Sequence, residues 1–133
     1  MSSQPIHVLC VDDDVHVLSF VGATLRDAGC DVETALDGAH ALQLIATSHR
    51  DFDVMIVDVR MPNLDGWRFI VAARGAGYRG KVIVFSAFFD CDERKRFREL
   101  KIDAAIEKPP KSGELLQVVR RVVPSTDTPA VTS

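Results

Sequence analysis

The sequence predicts an α/β domain built on a doubly wound parallel sheet of five strands and five helices. Short apolar runs alternate along the chain with segments whose apolar residues recur at helical spacing. Every apolar run except the second stops at a polar residue that can bind a ligand. Because parallel strands are joined by crossover helices of one hand, we expect helices on both faces of the sheet.

Composition favours one domain and excludes several classes of function. The chain has 133 residues, of which 47% are hydrophobic and 26% charged, enough for one core with an ordinary surface. A net charge of −3 gives no support for direct binding to nucleic acid. Neither a signal peptide nor an apolar run of about 18 residues is present, so we expect a cytoplasmic protein that does not bind membranes. The three cysteines lack CxxC spacing, which argues against zinc and disulfides.

The first strand is predicted from Ile6 to Val11, an apolar run that stops at three consecutive aspartates. A helix follows, with Asp14 as its cap and Gly29 as its stop. Its expected inward positions are Val15, Leu18, Val21 (or Gly22) and Leu25.

The second strand is predicted from Asp31 to Leu36, with a turn at Asp37-Gly38 and a second helix from Ala39 to Thr47. That helix is expected to face inward with Ala41, Leu42 and Ile45.

The third strand, Val54 to Val57, ends at Asp58 and is followed by a loop that contains Met61-Pro62 and Asp65-Gly66. The third helix is marked by Trp67, Ile70 and Ala73 (or Arg74), and glycines between positions 75 and 80 end it.

The fourth strand is predicted from Lys81 to Ser86, and a charged helix from Asp90 to Leu100 should contact the core through Phe97 and Leu100. The run at 94–98 is rich in Arg and Lys; by itself it favours a solvated helix face, with a surface that docks a partner as the alternative.

The fifth strand, Asp103 to Glu107, precedes Lys108-Pro109-Pro110. The last helix, from about Ser112 to Val123, should carry Leu115, Val119 and Val122 on one face, and residues 124–133 are expected to form a flexible tail or a linker.

The polar residues at the strand ends predict a single site, because the carboxyl ends of parallel strands lie at one edge of a sheet. These residues are Asp12, Asp13, Asp58, Ser86 and Lys108. Aspartates gathered there repel one another unless a cation is shared, and ligands that are all oxygen favour Mg²⁺. A single aspartate would suggest only a helix cap and a single lysine only a surface charge; their convergence favours the site.

Asp58 can then act as a nucleophile that forms an aspartyl phosphate. With an ordinary pKa it is ionised at neutral pH and needs no general base. Mg²⁺ would offset the charge of the transferring group, while Lys108 and Ser86 would contact its oxygens.

The motifs resemble the receiver domain of two-component response regulators. They are Val11-Asp12-Asp13-Asp14, the stretch from Asp58 to Gly66 with the pattern DxxMPxxDG, Ser86-Ala87 and Lys108-Pro109, and they cover residues 5–123. The resemblance implies a flavodoxin-like fold with strand order 2-1-3-4-5. It also implies that a histidine kinase or phosphotransfer protein phosphorylates Asp58 and that the modified chain binds a downstream protein partner.

The resemblance further assigns roles at the site. Asp13, Asp58 and the carbonyl of Arg60 would hold Mg²⁺, and Asp12 would act mainly through water. Ser86 takes the place of the switch hydroxyl, Lys108 contacts the phosphoryl group, and the Lys108-Pro109 bond is expected to be cis.

One position departs from the family pattern. Receiver domains usually carry Tyr or Phe three residues before the lysine, where this chain has Ala105. We therefore expect a different read-out of phosphorylation, for which Phe88 and Phe89 are candidates.

The leading hypothesis is a stand-alone, phosphorylation-controlled binding module, not an enzyme, whose output face carries the charges from Arg94 to Lys101. An aspartyl-nucleophile phosphatase of the haloacid dehalogenase type is an alternative, but its DxDxT motif would require Thr at His16. A degenerate receiver that serves as a scaffold is a third, opposed by the intact Asp13, Asp58 and Lys108.

Overall fold

A computed structural model of the chain describes residues 4–61, 65–87 and 89–124. Within them, five parallel strands form one sheet in the order β2-β1-β3-β4-β5, which confirms the predicted fold. The strands are β1 (His7–Val11), β2 (Asp31–Ala35), β3 (Val54–Asp58), β4 (Lys81–Ser86) and β5 (Ala104–Glu107). The helices are α1 (Val15–Asp27), α2 (Gly38–Thr47), α3 (Gly66–Gly75), α4 (Cys91–Glu99) and α5 (Glu114–Val122).

The central strands β1, β3 and β4 are almost entirely buried because both faces of the sheet are covered, whereas the edge strands β2 and β5 are partly exposed. Side chains alternate along each strand, so Leu9 and Val11 belong to one core layer while Val8 and Cys10 belong to the other. The first layer is completed from α2 and α3, and the second from α1 and α5. Both layers pack against the sheet, and the polar groups of the predicted site lie at its carboxyl edge.

Helix ends agree with the local sequence, and one predicted core position is corrected. The Asp14 side chain accepts a hydrogen bond from the His16 amide at 2.8 Å, and Gly29 adopts a φ of 92° after α1. Val15, predicted to face inward, is 53% exposed because it begins α1 at the edge where β1 ends. In α5, Leu115 and Val119 are buried and Val122 packs against the core from a half-buried position, as predicted, and Val118 is buried as well. No helix among the described residues is long and apolar enough to span a membrane.

Gly66 lies where α3 approaches the end of β3. A Cβ atom at this position would collide with the Asp58 carbonyl oxygen and would lie 2.6 Å from the Val59 Cα. Both are backbone atoms, so neither can move aside by a side-chain rotation. Glycine is therefore required beside the strand that carries Asp58.

We predict that Gly66→Ala lowers the free energy of unfolding by about 2 kcal/mol or more, because the backbone must shift to admit the methyl group. Gly75→Ala, at the other end of α3, is the matched control, since nothing lies within 4 Å of its added Cβ. Chemical denaturation measures both variants; equal stabilities would refute the steric argument.

Candidate functional site

The carboxyl edge of the sheet brings the predicted residues together. Asp12 and Asp13 follow β1, Asp58 ends β3, Ser86 ends β4 and Lys108 follows β5. Asp12, Asp58 and Ser86 are buried, with 1%, 6% and 1% of their surface exposed, whereas Asp13 is exposed. The site thus has a buried floor and an open side from which a ligand can enter.

The three aspartates form an acidic cluster that fits a hard divalent cation. Asp12, Asp13 and Asp58 each offer a carboxylate oxygen, and these oxygens lie within 4.8 Å of one another. All of the donors are oxygen, which suits Mg²⁺ and does not suit zinc or copper. Arg60, the fourth predicted ligand, donates its amide to Asp58 Oδ1 at 3.0 Å, and the role of its carbonyl stays a prediction.

Lys108 connects the two buried carboxylates. Its Nζ lies 2.9 Å from Asp12 Oδ2, 3.4 Å from Asp58 Oδ2 and 5.3 Å from the centroid of the Phe85 ring. Burial alone would lower the pKa of Lys108, but the hydrogen bond to Asp12 and the charge of Asp58 outweigh it and raise that pKa. The ammonium group is therefore held protonated in the site. The Lys108-Pro109 peptide bond is cis, as the resemblance implied.

Burial changes the acidity of Asp58. Desolvation raises its pKa to about 6, reinforced by the nearby charge of Asp12 and opposed by the Arg60 amide and by Lys108. This pKa differs from the ordinary carboxyl value that the sequence alone suggests for Asp58. Without metal, a pKa of about 6 leaves Asp58 mostly ionised at pH 7 and half protonated near pH 6.

We predict that Asp58→Asn stabilises the metal-free protein at pH 7. The folded-state pKa of about 6 exceeds the ordinary 3.8, so the folded state binds more protons between these values and loses stability as pH rises through them. Asparagine does not ionise, and the gain at pH 7 should be about 3 kcal/mol.

Denaturation in a chelator at pH 7 and pH 4 measures this effect, which should largely vanish at pH 4. Asp51→Asn, at an exposed site, is the control and should show no such pH dependence. A gain for Asp58→Asn that is the same at both pH values would contradict the assigned cause.

Ser86 contacts a residue that the sequence alone did not indicate as part of the site. Its hydroxyl donates a hydrogen bond to Glu93 Oε1 at 3.0 Å, and Glu93 is only 7% exposed although it lies in the charged helix α4. Glu93 Oε2 also lies 3.0 Å from Arg60 Nη2, which is 3.6 Å from Asp90 Oδ2. In the sequence, Glu93 is marked only by its spacing from Asp90, Asp-x-x-Glu, which is typical of a capping box. This spacing predicts the start of a helix but does not indicate that the Glu93 carboxylate is buried.

The residues considered for the read-out of phosphorylation lie only partly within the described part of the chain. Ala105 is exposed on β5, and Phe89 packs edge-on against Phe97 of α4 with ring centroids 5.9 Å apart. Phe97 and Leu100 are half-buried and pack against the core, as predicted. Outside the described residues lie Pro62, Asn63 and Leu64 of the long motif, the candidate Phe88 and the predicted tail from 125 onward.

Comparison with known proteins gives one family. A family model described as the response regulator receiver domain matches residues 8–120. The solved structure of the chemotaxis protein CheY4 of Vibrio cholerae superposes with a TM-score of 0.82 at 30% identity, covering 90% of this chain and 99% of that one.

Two relatives match this chain over different shares of their own length. The transcriptional regulatory protein PrrA of Mycobacterium bovis is 38% identical over 87% of this chain, which spans only 49% of PrrA. Protein PilG of Pseudomonas aeruginosa is 31% identical, covering 92% of this chain and 91% of PilG.

Proposed function

Because this chain belongs to the response regulator receiver domain family, we propose that Asp58 accepts a phosphoryl group and thereby switches binding to a protein partner. The family resemblance that the motifs predicted is thus confirmed. The observation that carries the proposal is the position of Asp58, a buried carboxylate beside two other aspartates with Lys108 Nζ at 3.4 Å. The donor would be a histidine kinase or a phosphotransfer protein.

The chemistry follows from the arrangement of side chains. An Asp58 carboxylate oxygen attacks phosphorus, the bond from phosphorus to the donor imidazole breaks, and the imidazole keeps the bonding electrons and takes up a proton. Lys108 offsets the negative charge on the transferring oxygens, and the Ser86 hydroxyl donates to one of them in the product. Mg²⁺ held by Asp13, Asp58 and the Arg60 carbonyl, with Asp12 acting through water, would supply further positive charge.

The reaction serves signalling rather than turnover. Receiver domains are in general signal transducers, and we propose the same for this chain, acting in the cytoplasm. A phosphatase of the haloacid dehalogenase type is disfavoured by His16, an exposed residue where that motif needs Thr. A degenerate scaffold is disfavoured by the Asp12–Lys108–Asp58 contacts.

The output partner is proposed only as a class. The names of the relatives point to different outputs, since one is a chemotaxis protein and another a transcriptional regulator. We propose residues 5–123 as the receiver unit and its α4-β5-α5 side as the surface that changes affinity. Residues 124–133 are proposed as a tail or as a linker to further chain.

The proposal is tested with a small acyl phosphate as donor. In Mg²⁺ the intact mass should rise by one phosphoryl group, and a chelator should prevent the increase. Coupling the reaction to capture of purified candidate partners then shows whether affinity changes with the adduct. Absence of any adduct in Mg²⁺, or steady release of phosphate from phosphoesters, would overturn the proposal.

A further inference from the structure

Ser86 has one hydroxyl hydrogen, and in this structure the hydroxyl donates a hydrogen bond to Glu93 Oε1 at 3.0 Å. The proposed function requires the same hydroxyl to donate to the phosphoryl group on Asp58. A hydroxyl cannot donate fully to both acceptors, so the carboxylate of Glu93 and the phosphoryl group compete for it. The competition arises inside the protein, because both Ser86 and Glu93 are buried.

Glu93 also forms an ion pair with Arg60, which follows the proposed phosphorylation site by two positions. The Arg60 amide donates to Asp58 Oδ1 at 3.0 Å, while its guanidinium lies 3.0 Å from Glu93 Oε2. The Glu93 side chain is 9% exposed and that of Arg60 is 55% exposed, so the pair sits at the edge of the site. Asp90, the cap of α4, accepts from the Glu93 amide at 2.9 Å and also lies near Arg60.

We propose that Glu93 is a positioning residue that holds the Ser86 hydroxyl in the unphosphorylated state and couples Asp58 to α4. This inference rests on the proposed function. When Ser86 donates to the phosphoryl group, Glu93 loses a buried hydrogen bond and the first turn of α4 must rearrange to satisfy its carboxylate. Ala105 offers no ring to perform this coupling, and Glu93 supplies a polar alternative.

The test uses beryllofluoride, which mimics a phosphoryl group on an aspartate, together with Mg²⁺ and the full chain. Glu93→Ala should bind beryllofluoride more tightly by on the order of tenfold, because the Ser86 hydroxyl no longer has to leave a charged acceptor. Glu93→Gln keeps the shape and a weaker acceptor, so its gain should be smaller; it serves if the alanine variant does not fold. Glu99→Ala removes an exposed acid from the same helix and should leave affinity unchanged.

A second readout separates coupling from a merely structural role. In the wild type, backbone amide NMR shifts of residues 90–94 should change when beryllofluoride binds, and in Glu93→Ala this response should be largely lost although binding persists. If wild type binds but Glu93 variants match it in affinity and in amide response, the inference is overturned and the proposed function stands. If wild type does not bind beryllofluoride at all, both are overturned.

Discussion

Asp58→Asn is expected to abolish formation of the phosphoryl adduct. The side-chain amide of asparagine is not a nucleophile at neutral pH, while its oxygen can still accept the hydrogen bond that the Arg60 amide gives to Asp58 Oδ1 at 3.0 Å. The loss is therefore chemical and not a consequence of unfolding. The initial rate with a small acyl phosphate in Mg²⁺, followed by intact mass, should fall by at least about a thousandfold.

Asp14→Asn is the matched control for this loss. Asp14 directly follows the acidic pair but is exposed and caps α1, a task that asparagine performs equally well. This variant should form the adduct at the rate of the wild type. An adduct on Asp58→Asn that forms as fast as in Asp14→Asn would place the acceptor elsewhere.

Lys108→Met should have the second largest effect. Methionine keeps much of the length of the side chain but removes the charge that lies 3.4 Å from Asp58 Oδ2 and 2.9 Å from Asp12 Oδ2. Fixed positive charge in a partly buried site stabilises the oxygens of the transferring group, and its removal should slow adduct formation by on the order of a hundredfold.

Lys111→Met provides the comparison for Lys108, since Lys111 is exposed in the same connection between β5 and α5. It should react at the wild-type rate. Lys108→Arg keeps the charge with a different geometry and should recover part of the loss. Equal rates for Lys108→Met and Lys111→Met would show that the contact to Asp58 has no part in the reaction.

The fold was predictable because its local signals agree with one another. Strands β1 and β3 are buried on both faces, and apart from His7 and Asp58 at their ends all of their residues are apolar. A strand with one face in solvent would instead alternate between apolar and polar residues. The gathering of Asp12, Asp58 and Lys108 followed from topology alone, since each stands at the carboxyl end of a strand. Val15 was misplaced because helical spacing gives the face of a residue but not where the sheet beneath it ends.

The missed features depend on tertiary contacts. Glu93 lies among charged residues, and its partners Ser86 and Arg60 come from other segments of the chain, so nothing local marks it as buried. The pKa of Asp58 near 6 likewise arises from burial and the charge of Asp12, which sequence spacing cannot reveal.

Asp58 is the proposed acceptor of the phosphoryl group. Reductive trapping tests this assignment most directly. Borohydride converts an aspartyl phosphate to homoserine but does not reduce a phosphohistidine, which matters because His16 lines the same surface cavity as Lys108. After reaction with an acyl phosphate in Mg²⁺, peptide mapping should find homoserine at position 58 and at no other aspartate. Homoserine at position 12 or 13, or a phosphoryl group on His16 with position 58 unchanged, would contradict it.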